Sequence, residues 1–213
     1  MDFWGPIELE KLPPEGLHQF ADLVRAIEAY AALPLQALFN LIVLKAKPLP
    51  GGGERPIGLL AMVYRVWARC RKHLVSNWAL AAAGPWGTAI AKSSAIRAAY
   101  QRSALDESAL DLGLNSASIL WDAEKFYDSL DLARLIESAQ SLGYPALPLA
   151  LAMQLHMGPR FIKGSTCFAL GVDPANGIVA GDNQANDLAR SAMYYVVERV
   201  ATGRPSMGLY TFC

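Results

Sequence analysis

Apolar positions in this chain follow two rhythms, one of helical spacing and one of short unbroken runs. Leu17, Phe20, Leu23, Val24 and Ile27 recur at helical spacing and predict a helix over 13–32. Pro13 and Pro14 with Glu15 open it, and Pro34 closes it. Residues 39–44, F-N-L-I-V-L, fit a strand or the end of a buried helix, and the strand reading is taken from Leu41 onward. Leu60, Val63, Tyr64, Trp67, Leu74 and Trp78 predict one helix over 59–82. Residues 84–87, G-P-W-G, form a turn, and Ser94 caps a helix to about Leu112 with Ile96, Ala99 and Tyr100 inward. Residues 118–121 read as a short buried strand. A helix over 131–142 turns Leu132, Leu135, Ile136 and Ala139 inward and stops at Gly143. A second helix covers 145–157, and a hairpin pairs 160–162 with 166–170 about Lys163-Gly164. A helix over 182–201 and a strand over 207–213 complete the list. Many helices with few short strands imply an α+β fold, a small antiparallel sheet packed on helices.

Composition narrows the class. The 213 residues are 53% hydrophobic and 18% charged, which indicates a globular chain with room for one sizeable domain or two small ones. The most apolar run, 29–44, is broken by Pro34, Gln36 and Asn40, so no membrane-spanning segment is expected. The N-terminus has no basic-then-apolar leader, and an intracellular location is expected, nuclear or cytoplasmic. Three widely spaced cysteines give no disulfide framework or zinc pattern. A net charge of zero leaves any nucleic-acid contact to local basic patches. Nothing in the sequence addresses oligomeric state.

Chemistry concentrates in residues 116–128, S-A-S-I-L-W-D-A-E-K-F-Y-D. Asp122 closes the apolar strand, where a carboxylate needs a partner. A divalent cation would serve, and so would a role as cap of the next helix. Asp128, six positions on, and the aromatic pair Phe126-Tyr127 favour the first. Two further groups are basic. Lys45 and Lys47 precede a Pro/Gly loop, and Arg55 follows it; a flexible hairpin with these cations can close on a triphosphate, although ordinary surface charges would read the same way. Arg65, Arg69 and Lys72 lie at i, i+4 and i+7 and would share a helix face able to follow a nucleic-acid backbone, or simply face solvent.

The segment W-D-A-E-K-F-Y-D-S-L resembles the first catalytic motif of reverse transcriptases, those of non-LTR retrotransposons and group II introns above all. K-A-K-P, the glycine loop and R-P-I-G-L-L are similar to that family's fingers hairpin, with Lys47 matching its lysine and Arg55 its arginine. N-G-I-V-A-G-D-N-Q-A-N resembles the family's glycine segment, with Gly177 and Gly181 at matching places. Val179 stands where proline is usual, Ala180 where glutamine is, and Asn183 and Asn186 replace two prolines. The resemblance covers 41–213 and implies a helical extension (1–40), a fingers-like region with a hairpin (41–115) and a partial right-hand palm without a thumb (116–213).

Its chemistry would be two-metal nucleotidyl transfer from dNTP onto a DNA primer on an RNA template. The resemblance assigns magnesium to Asp122 and the carbonyl of Ala123, the incoming nucleotide to Lys47, Arg55, Tyr127 and Gly181, and the template to Arg65, Arg69 and Lys72. Tyr127 would lie beneath the sugar and select deoxynucleotides. Asp128 would hold the turn, and Glu124 would project elsewhere. The strand over 207–213 looks like the run into the family's Asp-Asp motif and stops before it. At most weak Mg²⁺ binding is therefore expected from these residues, and no polymerase activity. The other reading is a non-catalytic nucleic-acid-binding module derived from the same fold.

Overall fold

The computed structural model describes residues 5–48, 53–84, 86–87, 94–117 and 123–204. The strand expected over 118–121, Asp122 itself and the strand over 207–213 lie outside them.

The fold is α+β. After a short α1 (Pro6–Glu10), α2 (Pro14–Tyr30) leads through a 3-10 turn, Leu35–Leu38, into β1 (Asn40–Ala46) and β2 (Glu54–Leu59). The helices α3 (Met62–Cys70), α4 (Lys72–Ala81) and α5 (Ala95–Asp111) follow. After the single turn α6 (Phe126–Ser129) come α7 (Leu132–Ser141), α8 (Ala146–Met157), β3 (Arg160–Lys163), β4 (Phe168–Val172) and α9 (Ala185–Gly203). Among the described residues no helix is long and apolar enough to cross a membrane.

The sheet has the order β2-β1-β3-β4. β1 runs antiparallel to β2 and β3 antiparallel to β4, but β1 and β3 are parallel, with Asn40 beside Arg160 and Ile42 beside Ile162. The expected antiparallel sheet is therefore mixed. A parallel pair needs a long crossover, and α3 to α8 supply it. Strands from both sides of the boundary expected at 115/116 share this one sheet.

Two cores meet on α8. Leu149, Ala152 and Met153 pack with Leu132, Leu135 and Ala139 of α7 and Leu188 and Ala189 of α9. Leu151 and Leu155 pack with Ile27, Tyr64 and Trp67 on its other side. A helix covered on two faces has to be apolar nearly all round, and P-L-A-L-A-M within α8 is. Its last carbonyls are met by β1: the Asn40 side chain, fully buried, donates to Leu155 O at 2.7 Å.

Three expectations need correction. The helix over 59–82 breaks at Arg71, whose backbone (φ −98, ψ 6) leaves the helical region. Its guanidinium instead grips Glu28 of α2, with Nη2 2.8 Å from Oε2. In α5, Ile96, Ala99 and Tyr100 are exposed rather than inward, Ile96 and Tyr100 at 69% and 73%, while Ala98 is buried. In α2 the spacing is right, but Leu17 and Leu23 remain exposed because only the C-terminal part, at Ile27, reaches a core.

Candidate functional site

Residues 177–182 form a turn that three distant parts of the chain touch. Gly177 adopts φ +84 and Gly181 φ +101, conformations that glycine takes without a Cβ penalty. On one side lies the loop after residue 122. The Gly177 amide donates to Leu130 O at 2.7 Å, and the Ile178 amide donates to Tyr127 O at 2.9 Å. A Cβ on Gly177 would lie 2.7 Å from the Asp128 backbone, so the two segments fit only with glycine there. On the other side lies β2. A Cβ on Gly58 would sit 2.1 Å from Val179 Cγ1 and 3.3 Å from Ala180 O. From beneath, Arg160 at the start of β3 donates through Nη2 to Gly177 O at 2.6 Å. Burial pulls the Arg160 pKa down, and the nearby Asp128 charge works against that.

The turn also rests on a buried polar network. Val179 donates its amide to His156 Nδ1 at 3.1 Å. A ring nitrogen that accepts carries no proton, so the neutral His156 keeps its hydrogen on Nε2. Nε2 lies 3.3 Å from Asp182 Oδ2 but out of line for a hydrogen bond, so the carboxylate acts on the ring through charge. Oδ2 accepts from Tyr64 OH at 3.1 Å; Tyr64 in turn accepts from Gln184 Nε2 at 3.2 Å, and Gln184 Oε1 accepts from Tyr144 OH at 2.9 Å. Both side chains of the His156–Asp182 pair are fully buried. Burial, then the Asp182 charge, pushes the Tyr64 hydroxyl well above its usual range. Burial, then the Asp187 charge, raises Tyr144 likewise, so both phenols remain donors at any physiological pH.

Of the residues singled out from sequence, Tyr127 and Gly181 meet on this turn. Tyr127 is half-buried and its hydroxyl donates to Asn186 Oδ1 of α9 at 2.7 Å. Gly181 is exposed, with Gly58 O 3.9 Å from where its Cβ would be. Lys47 and Arg55 are exposed near the far end of the β1–β2 hairpin. In the register Lys45, not Lys47, stands opposite Arg55, and alternation along the strand puts all three cations on one face. Arg55 is three residues from Gly58, about 10 Å along β2 at ~3.3 Å per residue. Arg65 and Arg69 are exposed on α3. Lys72 is exposed too but begins α4 after the break, so it does not extend their helix face. Ala123 is exposed, and Asp122 lies outside the described residues.

Among the described residues no three His, Cys, Asp or Glu side chains gather as a metal site requires. The described part of the site thus presents exposed cations and glycine backbone rather than a cluster of carboxylates. No protein-family model matches the chain, and no curated protein matches it.

Sequence reasoning missed His156, Asp182, Tyr64 and Arg160. A signal existed for the first: His156 is the one ionisable residue in a helix that is apolar but for Gln154, and such a group must find partners inside.

Proposed function

We propose that the chain is a reverse-transcriptase-like fingers-and-palm unit that holds a primer–template end beside an incoming nucleotide. The observation that carries this reading is the convergence on the 177–182 turn. The three segments bearing the family resemblance are far apart in sequence, and the loop after Asp122 and the strand after Arg55 both contact the glycine segment through positions where only glycine fits.

In this reading the hairpin cations Lys45, Lys47 and Arg55 face the triphosphate. Arg65, Arg69 and Lys72 neutralise template phosphates. Gly181 lets backbone lie close to the new base pair, and Tyr127, fixed by Asn186, stands under the sugar. Bound magnesium would activate the primer oxygen and the α-phosphate, with Asp122 as the carboxylate that holds it. A second reading keeps the fold and drops the chemistry, leaving a nucleic-acid-binding module. The exposed cations of α3 and α4 favour it equally.

Filter binding of an RNA–DNA primer–template across a salt series tests both. Each phosphate contact contributes about 1 to the slope of log affinity against log salt, so replacing Arg65, Arg69 and Lys72 together by alanine is expected to lower that slope by about 2 to 3. Absence of salt-dependent binding refutes both. Primer extension with Mg²⁺ or Mn²⁺ separates them. The 213 residues carry one of the carboxylates that the resemblance assigns to metal, so no processive extension is expected. Extension that Asp122→Ala abolishes would establish the polymerase reading.

A further inference from the structure

We infer that His156 and Asp182 are positioning residues for the nucleotide-facing turn, acting through Val179 and braced by Tyr64; this rests on the reading just proposed. A buried carboxylate is costly unless something inside repays its desolvation. Asp182 has one strong donor, the Tyr64 hydroxyl, and its Oδ1 meets no donor among the described residues. A merely structural turn would be better served by an asparagine or an apolar residue.

What the carboxylate does have is direction. Its charge favours the His156 tautomer with hydrogen on Nε2, and that tautomer leaves Nδ1 free to accept the Val179 amide. The donors Tyr144, Gln184 and Tyr64 run in series toward Asp182, so no member can reverse without breaking its neighbour. The series ties α3, the α7–α8 turn and the N-cap of α9 to one turn. It holds Val179 and Ala180 against Gly58, leaving Gly181 outward where a base pair would lie. None of these side chains reaches the exposed surface, so none touches a ligand itself.

The experiment measures primer–template affinity with and without the next complementary dNTP, with Mg²⁺ present, for the full chain. The wild-type chain is expected to bind more tightly when the matched dNTP is added. Asp182→Asn and His156→Gln are expected to reduce that gain up to about tenfold, the effect of one net hydrogen bond. Their affinity without dNTP should stay within about twofold, because backbone contacts set it. Tyr64→Phe keeps the ring and removes only the hydroxyl, and should lose part of the gain. A folded variant that keeps the whole gain overturns the inference. Should the variants fail to fold, ¹⁵N spectra of His156 in the wild-type chain decide. Hydrogen on Nε2, with the Val179 amide more protected from exchange once matched dNTP is added, supports the inference. Hydrogen on Nδ1, or unchanged protection, overturns it. Binding of primer–template with no response to dNTP also overturns it while leaving the nucleic-acid reading intact. Failure to bind primer–template at all refutes the reading beneath.

Discussion

Arg71 shows how one side chain can override a periodic pattern. Apolar spacing continues through it, yet its guanidinium is taken by Glu28, which also accepts from Trp67 Nε1 at 3.0 Å. The Arg71 hydrogen bonds hold the Glu28 carboxyl below its usual pKa, with Trp67 assisting and burial opposing. A carboxyl lowered by folding stabilises the fold when ionised, and that contribution is lost as pH falls through the lowered value. Because the arginine is partly exposed, the effect is screened. Glu28→Gln is expected to cost about 0.5–1 kcal/mol at pH 7 by urea unfolding, with the difference shrinking toward zero below about pH 4.

Glycines were the readable residues of the site, because a left-handed backbone or a close approach leaves few other choices. Gly58→Ala is expected to cost about 1–3 kcal/mol by overpacking against Val179, and Val179→Ala in the same chain to recover part of the lost melting temperature. The buried network was not readable. Nothing local in the sequence says that Tyr64 meets Asp182 and Gln184, since separations of 118 and 120 residues leave no periodic trace.

Among elements, α7 could be read closely because one face of it is apolar and it carries its own signals. Asp131 accepts from the Arg134 amide at its start, and Gly143, at φ +68, follows its end. α8 could be placed by its length and its Gly158 stop, while its central position could not. Only the assembled chain shows two cores sharing it. Leu151, with no exposed surface, faces the one that Tyr64 and Trp67 line. Leu151→Ala is expected to cost about 2–5 kcal/mol through the cavity it leaves, seen as a lower midpoint in denaturant unfolding. The hairpins were legible from their turn residues. The parallel contact between β1 and β3 was not, because strand pairing across a crossover is set by helix packing rather than by either strand's own pattern.

At the scale of the molecule, zero net charge conceals an uneven surface. Lys45, Lys47 and Arg55 share one face of a hairpin, and Arg65 and Arg69 project from the helix that follows it. In the proposed reading polyanion affinity comes from placement rather than from total charge, which is why the salt slope is the informative measurement. Sequence alone suggested the membership of the site through motifs, and the fold adds how its members support one another. Asp122, the residue from which the chemical reading starts, lies outside the described residues, so its role rests on the extension assay.

The parallel join between β1 and β3 also has a consequence for biosynthesis. Asn40 finds Leu155 across 115 positions, so the first hairpin leaves the ribosome with one edge bare and stays so until nearly the whole crossover has been translated. During that interval a neighbouring nascent chain, or a chaperone, meets an unclosed strand. Synonymous codon changes that slow translation between β2 and β3 should therefore alter the yield of soluble product without altering a single side chain.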